Sequence, residues 1–258
     1  MSPTTDPLGA VSDLARVMGD VALGHYRSRL LVETKADGSP VTIADRAAEE
    51  AGRAWLRRFF PADDVLGEEL GAQQGTSRRR WILDPIDGTK TFVRGVPLWG
   101  SLVALCEGDA VLAGAAYFPA VHEIVAAATG AGCWWNGARC TVSRVSSVGQ
   151  ATVLTTDDRF TERPARRAGW SHLANAAAVS RSWGDCFGYL LVATGRAEVM
   201  VDPVLSPWDS AALQPIIVEA GGAFTDWDGA ATAFGGSAVA TNAALASDAR
   251  SFLLTSSP

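Results

Sequence analysis

Four acidic segments stand where strands end or helices begin: Asp45, Glu68-Glu69, Asp84 with Asp87, and Asp209. One carboxylate in such a place is an ordinary cap or a solvated turn. Four in one chain weaken that reading and leave it open beside a second one, a hard cation held by oxygen ligands. The densest segment is Asp84-Pro85-Ile86-Asp87-Gly88-Thr89. Pro85 fixes the backbone after a strand, and Gly88 lets the chain turn and approach a ligand closely. Two carboxylates this close repel, and a dication relieves the repulsion. Thr89 opens a helix in this reading, so its hydroxyl and the nearby N–H groups suit an anion. Together the segment suits a metal and a phosphate at once.

These groups need a scaffold, and the sequence predicts one. Asp6-Pro7 starts a first helix, with Leu8, Val11, Leu14, Val17, Met18 and Val21 at helical spacing, running to about Leu30. Lys35 to Pro40 reads as a turn or hairpin tip. Thr42 caps a second helix with Asp45 in the capping-box position; Ala47, Ala51, Trp55, Leu56 and Phe59 face inward, and Pro61 stops it. Val65 to Glu69 is a short strand ending in acids, Gly71 to Arg80 a surface loop, and Trp81 to Leu83 a strand ending at Asp84. Strands follow at Ser101–Cys106, Ala110–Tyr117, Glu123–Ala128 and Gly132–Trp135, with hairpin turns at Glu107 to Asp109 and Asn136-Gly137. The second half alternates a strand at Ala151–Thr155, a helix at Cys186–Thr194, a strand at Glu198–Val201, and a helix at Trp208–Ala220. Pro215 should kink that last helix and Gly221-Gly222 end it. Interleaved strands and helices favour stacked α and β layers.

The acidic segments resemble the inositol monophosphatase superfamily of phosphatases. That pattern has an early Asp, a Gly-Glu-Glu, an Asp-Pro-Ile-Asp-Gly-Thr and a late Trp-Asp-x-Ala-Ala. Here these read Asp45, Gly67-Glu68-Glu69, Asp84 to Thr89, and Trp208 to Ala212. The resemblance implies a five-layer α-β-α-β-α sandwich, an α/β layered fold, forming one unit over residues 1–258. Its first part, about 1–150, holds most metal ligands. The rest, 151–258, holds Asp209 and the substrate-side residues. It implies two or three Mg2+ ions on Glu68, Asp84, Asp87, Asp209 and the Ile86 carbonyl. Gly88 and Thr89 would contact phosphate, and Asp45 with Thr89 would activate the attacking water, Glu68 assisting. A homodimer is implied as well. Glu69 is either a direct participant or a supporting, solvated acid. Lys35 matches a position near the third metal, or is a hairpin-tip charge.

Substrate choice lies outside the metal set. Inositol-type members carry Gly-Ser-Ala where this chain has Gly184-Asp185-Cys186, and a sugar-binding Glu where it has Asp202. Acids at 185 and 202 suit a positively charged substrate through charge-assisted hydrogen bonds. Asp185 equally suits a helix cap, and Asp202-Pro203 a turn. The stretches Lys90 to Trp99 and Trp183 to Tyr189 resemble the histidinol-phosphate phosphatase branch, whose substrate carries an ammonium and an imidazole. Trp99 or Trp183 either packs on that imidazole or belongs to the core, and Arg94 is either exposed or meets the phosphate. The resemblance thus implies hydrolysis of L-histidinol phosphate, a small-molecule phosphate ester. A broader inositol-1-phosphate or sugar-phosphate phosphatase and a non-catalytic metal-binding protein are the alternatives.

The totals set bounds on both. The 258 residues are 48% hydrophobic and 19% charged, enough for a sizeable core. A net charge of -6 argues against nucleic acid or an anionic membrane as partner, because both need a positive field. Cys106, Cys133, Cys140 and Cys186 show no zinc spacing and read as buried small residues. No secretion signal or bilayer-length apolar run is visible, so a cytoplasmic protein is expected.

Overall fold

The computed structural model describes residues 6–28, 31–35 and 40–254. The first part runs α1 (Pro7–His25), β1 (Val32–Thr34), β2 (Pro40–Thr42), α2 (Ile43–Phe59), β3 (Asp64–Gly67), β4 (Gly71–Gln73), β5 (Arg79–Asp87), α3 (Thr89–Phe92), β6 (Gly100–Glu107), β7 (Ala110–Phe118), β8 (Glu123–Ala128), β9 (Gly132–Trp135) and β10 (Ala138–Arg139). The second runs β11 (Thr152–Thr155), α4 (Arg167–Ala176), β12 (Val179–Arg181), α5 (Asp185–Ala193), β13 (Val199–Asp202), α6 (Pro207–Ser210), α7 (Leu213–Glu219), β14 (Gly222–Thr225), β15 (Ala238–Asn242) and α8 (Ala246–Leu254).

An eight-stranded sheet has the order β10-β9-β8-β7-β6-β5-β3-β4, and a five-stranded sheet the order β12-β11-β13-β15-β14. Every pair in the larger sheet is antiparallel except β3 with β5. Alternation along β6 shows why both faces are covered. Leu102, Ala104 and Cys106 pack toward one side, Val103 and Leu105 toward the other. One side meets α1 and α2. The other meets α5 and α7, which also touch the smaller sheet, and α4 and α8 close its far face. The result is the five-layer α-β-α-β-α sandwich that the resemblance implied.

Several elements depart from the sequence expectation. Helix α1 stops at His25, short of Leu30. The buried face of α2 is Ala44, Ala48, Gly52 and Leu56, with Asp45, Glu49 and Arg53, so it is rotated from the predicted stripe. The stripe was read from apolar residues alone, and a buried Glu49–Arg53 ion pair of 2.8 Å escaped it. Part of the 71–80 loop forms β4. The turn expected at 35–40 falls largely on residues 36–39, outside the described residues. The 208–220 helix is interrupted at Ala211–Ala212, one turn before Pro215, where the ring removes the i→i−4 bond to Ala211.

The largest departure is β5, which does not end at Asp84 but runs to Asp87. Against β6, Asp84 pairs with Leu102 and Asp87 with Gly100, so this stretch of β5 carries one extra residue, a β-bulge. Residues three apart in a regular strand face opposite ways. The bulge reverses that parity and turns Asp84 and Asp87 to the same side. Pro85 sits inside it, where no ladder N–H is needed, and Ser101 Oγ donates to Pro85 O at 2.6 Å.

Candidate active site

Carboxylate oxygens of Asp84, Asp87 and Asp209 lie within 4.8 Å of one another. Each side chain is aimed by a backbone N–H that holds one of its oxygens. Ile86 N donates to Asp84 Oδ1 at 3.0 Å, Ser206 N to Asp209 Oδ2 at 2.7 Å, and Cys186 N to Asp87 Oδ2. Asp209 takes its place as the third residue of α6, the capping-box position after Ser206. Asp45 follows the same rule in α2. Its Oδ2 accepts from Thr42 N and Thr42 Oγ1, both at 2.7 Å, while Oδ1 faces Thr89 Oγ1 at 3.4 Å. Thr89 Oγ1 also donates to the Ile86 carbonyl at 3.0 Å.

Burial, then the negative charges around it, pushes the Asp84 carboxyl well above its ordinary range. Asp87 is raised in the same way, by burial and then by Asp185 and Asp209. Burial also lifts Asp209 to about 7, against the Ser206 N–H that favours its charge. Such a cluster is stable with protons, or with a cation in their place. The three converging donors are all carboxylate oxygens, which fits a hard divalent ion and not a thiolate-seeking one.

Glu68 lines the same cavity, with Lys35 Nζ at 2.7 Å; the same Nζ lies 2.6 Å from Glu69 Oε1. Burial opposes the Lys35 charge, but the two glutamates hold its ammonium above the ordinary value. Burial lifts Glu69 to about 7 despite Lys35. Sequence reading missed what carries this turn. Glu49 Oε2 accepts from Glu69 N at 2.8 Å and Oε1 from Leu70 N at 3.2 Å, and Arg53 fixes Glu49 from behind.

The cavity, about 370 Å³, is lined by Asp87, Gly88, Thr89 and Asp209 together with Asp185, Tyr189 and Asp202. Gly88 has φ +89°, and a side chain there would crowd Leu98 O at 3.1 Å and Asp185 Oδ2 at 3.2 Å. Asp185 does not cap α5, since Asp87 takes the Cys186 N–H. Its own N–H donates to Thr156 Oγ1 at 2.8 Å. Burial, then the Asp202 charge, lifts Asp185 to about 7, Lys90 opposing. Asp202 is buried at 3% exposure, accepts from Tyr189 Oη at 2.9 Å and Thr156 N at 3.3 Å, and is lifted by burial to about 6.

Other expected residues lie elsewhere. Gly184 does not line the cavity. Its α-carbon packs against Thr156, and a Cβ there would come within 2.3 Å of Thr156 Cα. Trp99 is fully buried with Tyr26 and Phe92, and Trp183 is 43% exposed, so neither faces the cavity. Arg94 is exposed and donates to Lys90 O at 3.0 Å. The loop after β11 was not anticipated, yet Thr156, Asp157, Arg159 and Glu162 line the cavity. Tyr189 was within reach of sequence reading, since it stands four residues after Asp185 on one helix.

A model described as the inositol monophosphatase family matches residues 6–254. The histidinol-phosphatase of Chlorobaculum parvum is 42% identical over 226 residues, 87% of this chain and 87% of that protein. The histidinol-phosphatase of Mycobacterium tuberculosis is 42% identical over 241 residues, 92% of each. Among solved structures, the extragenic suppressor protein suhB of Bartonella henselae superposes with a TM-score of 0.89 at 26% identity, covering 95% of this chain and 96% of that one.

Proposed function

The chain belongs to the inositol monophosphatase family and is a phosphoric monoester hydrolase, and from that premise we propose that it hydrolyses L-histidinol phosphate with magnesium. The products are L-histidinol and phosphate, the phosphatase step of histidine synthesis. One observation carries the reading: a single cavity is lined both by the converging metal-binding carboxylates and by two further acids outside that cluster, Asp185 and Asp202. Histidinol phosphate has the matching polarity, with an anionic phosphate and a cationic amino-imidazole end. Inositol phosphate has no cation for those two acids. The two histidinol-phosphatase relatives support the same choice.

Two or three magnesium ions held by Glu68, Asp84, Asp87, Asp209 and the Ile86 carbonyl would supply a lowered pKa for the attacking water and neutralise charge on the leaving oxygen. The chain's own groups do the rest. Gly88 and Thr89 hold the phosphate oxygens at the start of α3. Asp45 Oδ1 and Thr89 Oγ1 orient the water and take its proton, with Glu68 assisting. Asp202, aimed by Tyr189, and Asp185 hold the cationic end by charge-assisted hydrogen bonds.

No helix among the described residues is long and apolar enough to cross a membrane. Action in the cytoplasm and assembly as a homodimer belong to this proposal, and light scattering of the purified protein checks the second. The decisive assay compares histidinol phosphate with inositol-1-phosphate, with magnesium and with chelator. Faster turnover of the inositol ester would overturn the substrate assignment, and undiminished turnover in chelator the metal assignment.

A further inference from the structure

Two thiols outside the active site face each other at the edge of the eight-stranded sheet. The β9–β10 hairpin turns through Asn136 at φ 48° and Gly137 at φ 82°, and pairs Trp135 with Ala138 and Trp134 with Arg139. One further step along that register sets Cys140 opposite Cys133. The Cys140 N–H donates to Cys133 O at 3.1 Å, and the two Sγ atoms lie 3.4 Å apart. Hydrogen-bonded antiparallel pairs hold their Cα atoms about 5.5 Å apart, inside the range that a disulfide spans. Bond formation therefore needs the sulfurs to close by about 1.4 Å, with no slip of the strands.

We propose that Cys133 and Cys140 are an oxidation site, a thiol pair that hydrogen peroxide converts to a disulfide and a reductant reopens. The two sulfurs differ in a way that assigns their roles. Cys133 is buried and Cys140 is partly exposed. The Cys133 thiol facing it, and then the nearby Arg196 guanidinium, favour the Cys140 thiolate, burial opposing. Arg196 is held in place by Glu123 at 2.6 and 3.1 Å, and stacks over the Trp135 ring at 4.9 Å. Cys140 is thus the attacking sulfur and Cys133 the resolving one.

The Cys140 thiolate attacks one peroxide oxygen and the O–O bond breaks. This leaves a sulfenic acid on Cys140 and a hydroxide that becomes water on protonation. The Cys133 sulfur then attacks the Cys140 sulfur, and the S–O bond breaks. The departing hydroxide takes the Cys133 proton and leaves as the second water. Two thiols lose two electrons and two protons, and one peroxide becomes two waters.

The test treats the full chain with hydrogen peroxide at doses that oxidise a control dithiol, then alkylates it under denaturing conditions for mass spectrometry. The wild type should lose two of its four alkylatable thiols and regain them with dithiothreitol. Arg139 lies between the two cysteines, so trypsin separates their peptides unless the disulfide joins them, and the joined species should appear. Cys133→Ser and Cys140→Ser should each give no joined species. Retention of all four thiols, or loss at Cys106 and Cys186 instead, overturns the proposal. So does overoxidation of Cys140 without a joined peptide.

Discussion

Asp87 Oδ2 accepts the backbone N–H of Cys186, 99 residues further along the chain, so one metal-facing carboxylate also caps the first turn of α5. The bulge in β5 sends Asp87 toward α5, and the positive end of the helix meets it there. Asp87 therefore couples the larger sheet to the wall that carries Asp185 and Tyr189.

The substitution Asp87→Asn separates these duties. The amide oxygen still accepts from Cys186, but the charge that crowds Asp84 and Asp209 is gone. Activity should fall by a factor of about 10² or more. In chelator the variant should be more stable than wild type, by about 1–3 kcal/mol, because an unbalanced buried charge has been removed. Magnesium should raise the urea midpoint of the wild type and leave the variant nearly unchanged. A variant less stable than wild type in chelator would contradict the crowding.

The raised carboxylates make a pH prediction for the metal-free protein. A folded pKa above the unfolded one means that the native state binds more protons, so stability falls as pH rises. The stabilisation is complete below about pH 4, the unfolded carboxylate value. It is lost through about 6 for Asp202 and about 7 for Asp185 and Asp209. Within that window each group costs about 1.4 kcal/mol per pH unit. Urea unfolding in chelator should give a lower midpoint at pH 8 than at pH 5, and saturating magnesium should flatten the slope.

Thr89 Oγ1 stands between Asp45 and the Ile86 carbonyl, so in the proposed mechanism the hydroxyl serves the water while the Thr89 backbone N–H meets the phosphate. Thr89→Ala should lower kcat by about 10²–10⁴ with little change in KM. Thr89→Ser keeps the hydroxyl and should recover most of the rate. Steady-state kinetics on both variants decide it; equal losses in both would assign Thr89 to packing.

Asp202 is the sharpest probe of substrate choice. Asp202→Asn should raise KM for histidinol phosphate by roughly 10–100-fold, the worth of one charged hydrogen bond, and hardly affect a neutral-alcohol ester. Tyr189→Phe removes the hydroxyl that aims Asp202 and should show the same discrimination more weakly. Equal KM changes for both esters would place Asp202 in the scaffold.

Glu49 does not line the active-site cavity, yet it carries the Glu68-Glu69 turn and balances Arg53. Glu49→Ala leaves a buried guanidinium unpaired and should cost about 3–5 kcal/mol in urea unfolding. Arg53→Met with Glu49→Leu removes both charges and should recover a good part of that loss. It should still bind magnesium more weakly, because the backbone N–H groups of Glu69 and Leu70 lose their acceptor.

The Thr42–Asp45 cap was legible because its rule is local, satisfying N–H groups within three residues. Ser206 with Asp209 obeys the same rule but went unread, since the helix was expected to begin at Trp208. The motif at 84–89 was equally legible as a place. Its geometry was not, since the bulge that turns both acids to one side depends on pairing with β6, and pairing is a property of the sheet. Glu49 and Arg53 at i,i+4 look like a solvated helix pair, and only the cover of the 68–73 segment buries them. Residues 156–162 carry no periodicity, so nothing local marked them as a cavity wall.

The wide sequence separation of the site has a consequence for a chain still on the ribosome. Residues up to Arg139 include every strand of the larger sheet, and with it Asp45, Glu68, Asp84 and Asp87. Asp87 has no Cys186 to cap until α5 has emerged, and the ligand cluster lacks Asp209 until α6 follows. At about 5–20 residues per second, the last ligand trails Arg139 by several seconds of synthesis. During that interval the nascent sheet exposes the apolar face that α5 and α7 later cover, with its acids gathered and their final partner still inside the exit tunnel.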